Sequence, residues 1–187
     1  MRITGGVLAG RRISVPPGAI RPAMDRMRES LFSILGPLDG YSFLDLFCGS
    51  GIMGLEALSR GATRVTLVER DRGKRRAILQ NLAIAEESLC PHPRLIVAPV
   101  ERFVARAREP YDIVYVDPPF DYRHKANLLH RIVAAGLLEP DGRLLIHYPR
   151  EETLPVELGD SDRATGVTMD DERRYGRSTV RFYRAPV

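Results

Sequence analysis

The fold of this chain is decided by residues 42–69, which read SFLDLFCGSGIMGLEALSRGATRVTLVE. Residues 42–47 predict a short apolar strand, and residues 48–51, here named the glycine loop, connect it to a helix. Residues 49–54 fit the pattern G-x-G-x-x-G, and Glu69 stands at the end of the next predicted strand. Glycines in this setting let a ligand approach the backbone closely, and such an acid accepts hydrogen bonds from ribose hydroxyls. The stretch therefore predicts a nucleoside-cofactor site; the alternative is a tight strand-to-helix turn with a surface glutamate.

An acid just before the glycine loop separates two kinds of cofactor. A dinucleotide places its pyrophosphate at the loop, where the helix N-terminus stabilises anions. Asp45 precedes Gly49 at the strand end, where its carboxylate would repel a pyrophosphate but could hold an ammonium group. S-adenosylmethionine has no phosphate and carries both an amino group and a sulfonium. Asp45 therefore favours S-adenosylmethionine over a nicotinamide cofactor, and its alternative role is to accept hydrogen bonds from loop amides.

The rest of the chain alternates short apolar segments with helical patterns. Two extended pieces at residues 2–4 and 11–15 flank a glycine-rich turn, and Asp25 and Asp71 are expected to cap helices. Further strands are predicted at residues 64–69, 95–97, 113–116, 144–147 and 179–183, and a surface loop at residues 149–162. This alternation predicts an α/β fold whose parallel sheet is covered on both faces. Because no helix separates the last two strands, an antiparallel edge is expected.

The composition is that of an ordinary globular protein, with 187 residues of which 44% are hydrophobic and 28% charged. This length suits one domain with a short appendage, and this composition excludes a disordered chain. No apolar run approaches the ~20 residues of a membrane helix, and the first residues lack the apolar core of a signal peptide. The two cysteines, Cys48 and Cys90, provide neither a disulfide framework nor a four-ligand zinc site. We therefore expect a cytoplasmic protein that contacts no membrane and holds no metal.

The net charge of +4 is unevenly distributed along the chain. Residues 1–30 hold six arginines and two acids, residues 173–187 hold five arginines and no acid, and residues 31–172 carry a net charge of −5. Basic terminal segments on both sides of a mildly acidic central segment indicate a polyanionic partner, which the two terminal segments contact. The alternative is that these terminal arginines are only solvated.

Residues 117–120, here named the Asp-Pro-Pro-Phe motif, follow the fourth predicted strand. That position is the C-terminal rim of the sheet, where such folds bind ligands. Asp117 offers a carboxylate and Pro118 a carbonyl, Pro118 and Pro119 stiffen the turn, and Phe120 offers a stacking face. Two acceptors and one aromatic ring match the exocyclic NH2 group of a nucleobase, and they would orient its lone pair toward a methyl donor. A base in a duplex would first have to be flipped out of its stack.

Several segments together resemble the RsmD family of bacterial 16S ribosomal RNA guanine-N2 methyltransferases. They are residues 1–15, 21–32, 44–51, 54–62 and 117–120, so the resemblance covers nearly the whole chain. It implies a Rossmann-like class I methyltransferase domain over residues 21–187, with a seven-stranded, mostly parallel sheet and an antiparallel edge strand. It also implies an N-terminal hairpin over residues 1–20 that contacts RNA. The implied reaction uses S-adenosylmethionine to methylate a guanine of 16S rRNA, within a 30S subunit or an assembly intermediate, and we expect a monomer.

The resemblance also implies roles for individual residues. Those expected to hold the cofactor are Arg21, Asp45, Phe47, Gly49, Gly51, Glu69, Arg70 and Val100. Those expected to hold the target guanine are Asp117, Pro118, Pro119 and Phe120. Arginines would meet RNA phosphates from two sides, Arg2, Arg11, Arg12, Arg26 and Arg28 from one and Arg173, Arg174 and Arg177 from the other. Such phosphate contacts give affinity without sequence information.

Three other functions stay open at this point. A DNA amino-methyltransferase, which makes N6-methyladenine or N4-methylcytosine, shares the motif but usually needs a target-recognition domain, for which 187 residues leave little room. A nicotinamide-dependent oxidoreductase fits the glycine loop but neither Asp45 nor the Asp-Pro-Pro-Phe motif. A non-catalytic RNA-binding module would keep the cofactor site as a relic. The histidines at 92, 124, 130 and 147 lack metal-ligand spacing and are interpreted as structural or exposed, and Cys48 as a packing residue.

Overall fold

The computed structural model describes residues 1–15, 23–86, 93–159 and 166–187. They belong to two compact units, Met1–Ala98 and Pro99–Val187. The domain boundary between residues 20 and 21 lies outside the described residues and stays a prediction. None of the helices in the described ranges is long and apolar enough to cross a membrane.

The first unit contains three parallel strands, β1 (Ser42–Leu46), β2 (Arg64–Glu69) and β3 (Arg94–Val97), in the order β3-β2-β1. Every residue of β1 and all but the first of β2 are buried, which is why both are continuous apolar runs rather than alternating ones. In the parallel register Asp45 pairs with Leu67 and Leu46 with Val68. The residues that follow β1 and β2 therefore emerge at the same edge.

The helices of this unit are α1 (Ala23–Leu35), α2 (Ile52–Ser59) and α3 (Arg75–Glu86). The expected cap at Asp25 is wrong, because α1 begins two residues earlier and the Asp25 carboxylate instead binds Arg28. Asp71 does act as a cap, since it accepts a hydrogen bond from the Gly73 amide (2.8 Å) at the start of a 3-10 turn that leads into α3. All eight residues of α2 are buried, so this helix is enclosed on every side.

The N-terminal segment, residues 1–15, folds back on itself over the end of α2. Its pairing is a single antiparallel bridge between Arg2 and Arg12, so the expected hairpin consists of one bridge and its turn. The Val7 amide donates to the Ser59 carbonyl (2.8 Å), one of the last helical carbonyls that have no partner inside the helix. A Cβ on Gly6 would lie 1.7 Å from that carbonyl oxygen, which explains why a glycine stands there.

The second unit contains two helices, α4 (Val100–Arg106) and α5 (Lys125–Ala134), and five strands. The strands are β4 (Tyr111–Val116), β5 (Leu138–Pro149), β6 (Glu157–Leu158), β7 (Val167–Tyr175) and β8 (Ser178–Arg184), in the order β4-β5-β8-β7-β6. The pair β4–β5 is parallel, whereas β5–β8, β8–β7 and β7–β6 are antiparallel. The expected antiparallel edge is therefore confirmed, and it is wider than one strand.

The strand count differs from the expected seven, because the described residues form eight strands. The two-residue strand β6 lies in the segment predicted to be a surface loop. No apolar alternation marks β7 in the sequence, because five of its nine residues are charged and only Val167 is buried. Pairing with the buried β8, rather than its own composition, holds β7 in the sheet.

Candidate active site

The glycine loop follows β1 with a backbone that few side chains tolerate. Phe47, Gly49 and Gly51 have φ angles of 62°, 57° and 80°. Gly51 is the N-cap of α2, and a Cβ there would lie 3.1 Å from a methyl carbon of Leu67. At Gly49 a Cβ would meet only the Phe47 carbonyl oxygen, at 3.9 Å, among the described residues. Gly51 is therefore required for packing, whereas the absent side chain of Gly49 leaves open space for a ligand beside the loop.

Asp45 shapes the start of α2 from the neighbouring strand. Its Oδ2 accepts a hydrogen bond from the Gly54 amide (3.1 Å), one of the first helical N–H groups that have no partner inside the helix. The residue is 1% exposed. The structure thus shows the alternative role, a hydrogen bond to a backbone amide, and a direct contact with an ammonium group stays a prediction. The carboxylate still places negative charge behind the loop, which disfavours a pyrophosphate there.

Glu69 ties two backbone segments to the end of β2. Its Oε2 accepts a hydrogen bond from the Gly49 amide (3.1 Å), and its Oε1 accepts one from the Asp71 amide (2.9 Å). The Lys74 ammonium lies 3.5 Å from Oε2 and balances the charge. Because each carboxylate oxygen can accept two hydrogen bonds, each keeps capacity for a ribose hydroxyl. The residues present therefore fit the ribose of a nucleoside cofactor.

Cys48 lies within the glycine loop and is buried. Burial raises the pKa of its thiol well above the ordinary value, and the carboxylates of Asp45 and Glu69 raise the pKa further. A thiol that stays protonated is a poor nucleophile. This environment agrees with the interpretation of Cys48 as a packing residue.

The Asp-Pro-Pro-Phe motif begins directly after β4. The Asp117 side chain is 22% exposed, Pro118 is buried, Pro119 is exposed and Phe120 is half-buried. Oδ1 of Asp117 lies 2.8 Å from Nδ1 of His147 on β5. The Phe120 ring meets the same imidazole edge-on, with 5.4 Å between the ring centroids and 67° between the planes. One buried histidine therefore contacts both the acid and the aromatic ring of the motif.

A buried lysine fixes the turn that follows the motif. Lys125, at the start of α5, is 2% exposed. Its Nζ donates to the carbonyls of Phe120 (2.9 Å) and Tyr122 (2.7 Å) and to Oε1 of Glu152 (2.9 Å). The Tyr122 hydroxyl donates to Glu101 on α4 (2.7 Å). The three donors of the ammonium are thus matched by three acceptors, and the backbone after Phe120 is held in place.

The expected RNA contact of Arg28 is wrong, because this arginine is 1% exposed. Its guanidinium donates to Glu56 (3.0 Å), to Asp25 (3.0 Å) and to the Arg2 carbonyl (2.7 Å). Glu56 is completely buried, so its charge needs the arginine as a partner. Arg28 therefore joins α1, α2 and the N-terminal segment and cannot reach a phosphate.

The other arginines expected at the RNA are exposed: Arg2, Arg11, Arg12, Arg26, Arg173, Arg174 and Arg177. Arg173 is partly neutralised, since its Nε lies 2.7 Å from Asp171. Within the second unit, Val180 of β8 pairs with His147 on one side and with Arg173 on the other. The C-terminal arginines thus lie at the same end of their strands as the Asp-Pro-Pro-Phe motif.

The remaining expected cofactor residues have varied surroundings. Arg21 lies outside the described residues, Arg70 is exposed and Phe47 is half-buried. Val100, the first residue of α4, is 1% exposed. Their contacts with a cofactor stay predictions. In the described part of the chain there is no group of three or more His, Cys, Asp or Glu residues placed to hold a metal ion.

Two residues that organise the site, His147 and Lys125, belong to no motif in the sequence. The sequence does contain a signal for His147. This residue directly follows an apolar run, as Asp117 does, and residues that follow such runs lie side by side when the two strands are parallel neighbours. Lys125 offers no such signal, since two of its three partners are backbone carbonyls.

These features define the class of protein as a Rossmann-like methyltransferase. The solved structure of yhhF from Escherichia coli, described as a candidate methyltransferase, matches with a TM-score of 0.84 and 32% identity over 100% of this chain and 98% of that one. A hypothetical protein of Thermus thermophilus matches with a TM-score of 0.80 and 30% identity over 100% and 99% of the two chains. SMU.776, a candidate methyltransferase solved with SAH, shares the fold at a TM-score of 0.69 and 19% identity, over 88% of this chain and 50% of its own.

The family follows from the sequence comparisons. A family model described as "Conserved hypothetical protein 95" matches residues 1–184. The chain is 41% identical over 190 residues to Ribosomal RNA small subunit methyltransferase D of Escherichia coli (strain K12), over 98% of this chain and 89% of that one. The protein of the same name from Haemophilus influenzae is 29% identical over 157 residues, which cover 82% and 81% of the two chains. The chain therefore belongs to the RsmD family, and the resemblance carried by its motifs is confirmed.

Proposed function

We propose that this chain transfers a methyl group from S-adenosylmethionine to the exocyclic N2 amine of a guanine in 16S ribosomal RNA. Its relatives are named as ribosomal RNA small subunit methyltransferases. The Asp117 carboxylate is the observation that supports an exocyclic amine as the methyl acceptor. One of its oxygens is hydrogen-bonded to His147, and the side chain remains 22% exposed. Within the described ranges Asp117 makes no other hydrogen bond, so its second oxygen is left to accept an N–H of a base.

The roles of the Asp-Pro-Pro-Phe motif follow from the chemistry of an aromatic amine, whose lone pair is delocalised into the ring. Asp117 and the Pro118 carbonyl accept the two N–H bonds of the amine, which turns the lone pair out toward the methyl donor. Phe120 stacks on the base and holds its plane. As the new N–C bond forms, the bond between the methyl carbon and sulfur would break and the sulfur would keep its electron pair as a neutral thioether. The nitrogen becomes cationic, and its proton then passes to Asp117 or to water. A strong general base is therefore not required.

The first unit supplies the cofactor contacts. S-adenosylmethionine brings a methyl group on a positively charged sulfur, which makes that methyl carbon electrophilic. Glu69 accepts hydrogen bonds from the ribose hydroxyls through the free capacity of its two oxygens. Gly49 leaves room for the ligand to approach the backbone, and Asp45 keeps the loop and α2 in register through the Gly54 amide.

The exposed arginines supply the affinity for RNA. One set consists of Arg2, Arg11, Arg12 and Arg26 and the other of Arg173, Arg174 and Arg177. Arg28 is buried and belongs to neither set. We infer that the substrate is 16S rRNA within a 30S subunit or an assembly intermediate in the cytoplasm, and that the enzyme acts as a monomer. Because phosphate contacts release counterions, RNA binding should weaken steeply as salt is raised.

The test is methyl transfer from labelled S-adenosylmethionine to ribosomal particles and naked 16S rRNA from cells that lack the protein, followed by mass analysis of the nucleosides. The expected product is N2-methylguanosine at one site. Asp117→Ala should abolish transfer and leave cofactor affinity unchanged, because its carboxylate acts on the amine and not on the ribose. Asp121→Ala is the matched control, because Asp121 is an exposed acid just outside the motif. This variant should stay active.

Two results would overturn the proposal. One is full activity of Asp117→Ala, and the other is a methylated adenine or cytosine in DNA with no label in ribosomal RNA.

A further inference from the structure

We propose that His147 is a positioning residue for methyl transfer, which fixes both the Asp117 carboxylate and the Phe120 ring in the orientation that the target amine requires. The inference rests on the proposed function and deepens it. No sequence motif marks His147, and the histidines of this chain have no metal-ligand spacing that would give them another role.

The parallel register of β4 and β5 creates the contact. Val116 pairs with Ile146, so the residues that follow them, Asp117 directly after β4 and His147 within β5, lie side by side. The 2.8 Å distance between Oδ1 and Nδ1 is that of a charge-assisted hydrogen bond. The side chain of His147 is buried, at 5% exposure, so packing fixes the position of the imidazole.

The surroundings of the second ring nitrogen indicate which nitrogen carries the proton. Nε2 of His147 is buried and has no hydrogen-bond partner among the described residues. A charged imidazolium would leave an N–H donor buried there without an acceptor, which is unfavourable. We therefore assign the neutral tautomer with its proton on Nδ1, which makes His147 the donor and Asp117 the acceptor.

This hydrogen bond restricts a rotation that the backbone leaves free. The terminal torsion of an aspartate is broad, so an unheld carboxylate samples many orientations. With Oδ1 held by His147, the other oxygen keeps one direction in which to accept the N–H of the amine. The edge-on contact at 5.4 Å sets the Phe120 ring against the same imidazole, so one side chain aligns an acceptor and a stacking surface together.

The experiment replaces His147 with side chains that keep or lose the donor at the Nδ1 position. His147→Asn places an amide N–H at the distance of Nδ1 and should keep most of the kcat. His147→Leu keeps the volume but removes the donor, and kcat for labelled-methyl transfer to 30S particles should fall about 10- to 100-fold, as expected for a misplaced reacting group. The dissociation constants for S-adenosylmethionine and for the RNA should not change, because neither is bound through the imidazole.

His147→Gln provides a second contrast in case the leucine variant does not fold. Its amide lies one bond farther from the backbone, so it should be impaired while His147→Asn is active. Equal loss in the Asn and Gln variants, both shown to be folded by urea unfolding, would overturn the positioning role. Wild-type kcat in the Leu or Gln variant would also overturn it.

Asp117→Ala, assayed in parallel, separates this inference from the proposed function. If Asp117→Ala is inactive while His147→Leu is fully active, only the role of His147 is wrong. If Asp117→Ala is fully active, the proposed function itself fails.

Discussion

The glycine loop after β1 and the Asp-Pro-Pro-Phe motif after β4 both begin where a parallel strand ends, yet they are held in different ways. The glycine loop and the start of α2 are held through the main chain. The amides of Gly49 in the loop and Gly54 in α2 donate to carboxylates on the strands, and Gly51 takes a left-handed conformation. The motif is held by side chains, since His147, 30 residues further along the chain, binds Asp117. Lys125 fixes the carbonyls that follow.

This difference determines how each site responds to substitution. A loop defined by backbone conformation is disturbed as a whole, because a side chain at a glycine strains the turn and displaces its neighbours. When side chains hold a loop, a single substitution removes one contact and leaves the backbone conformation of the loop unchanged. We therefore expect changes in the glycine loop to affect stability and cofactor affinity together. Changes around the motif should mainly affect the transfer of the methyl group.

The largest expected effect is that of Gly51→Val. The left-handed backbone costs about 1–2 kcal/mol for a residue with a Cβ, and crowding against Leu67, Ile78 and Leu82 adds about 1–3 kcal/mol. Urea unfolding should therefore show a loss of about 2–5 kcal/mol, with weaker S-adenosylmethionine binding. Gly136→Val is the matched control, because Gly136 also has a positive φ of 65° but has open space where the Cβ would lie. Equal losses in the two variants would contradict the packing role of Gly51.

A smaller effect is expected for Lys125→Met. The methionine fills the volume but leaves the Phe120 and Tyr122 carbonyls without their donor, which should cost about 2–3 kcal/mol of unfolding free energy. The rate of methyl transfer should fall while the S-adenosylmethionine dissociation constant stays the same. Glu152→Gln is the control, because it keeps an oxygen acceptor for Lys125 and removes only the negative charge of a side chain that is 39% exposed. It should cost less than about 1 kcal/mol. A changed S-adenosylmethionine dissociation constant in Lys125→Met would contradict the expectation that changes around the Asp-Pro-Pro-Phe motif leave cofactor affinity unaltered.

The smallest effect is expected for Tyr122→Phe. Burial of the hydroxyl and its hydrogen bond to Glu101 raise the pKa of Tyr122, so the group stays a donor at any working pH. Removal of this half-buried contact should cost about 1 kcal/mol, measured by urea unfolding, with little change in kcat. A loss of kcat as large as that of Lys125→Met would show that the Glu101 contact, and not the lysine, fixes the turn.

The elements that could be predicted from the sequence share a local signal. β1, β2 and the glycine loop are marked by apolar runs and by glycines that the backbone needs, and the acid at Glu69 is marked by its spacing. β7 has no such signal, because it is held by hydrogen bonds to β8 and carries charged residues. The burial of Arg28 has no local signal either, since an arginine in a helix has the same sequence pattern whether its partner is a phosphate or the buried Glu56.

By itself the sequence determined the strand-to-helix turn, the position of the Asp-Pro-Pro-Phe motif and the family, because each depends on residues that are neighbours in the chain. Only the tertiary structure decided that His147 holds Asp117, that Lys125 holds the turn after Phe120, and that Arg28 is buried. The first and third of these contacts join residues 30 and 28 positions apart, which strand register and burial bring together. Lys125 binds carbonyls only 5 and 3 residues away, and its burial decides that contact. Local pattern encodes backbone conformation, whereas the partner of a buried polar side chain is selected by the packing around it.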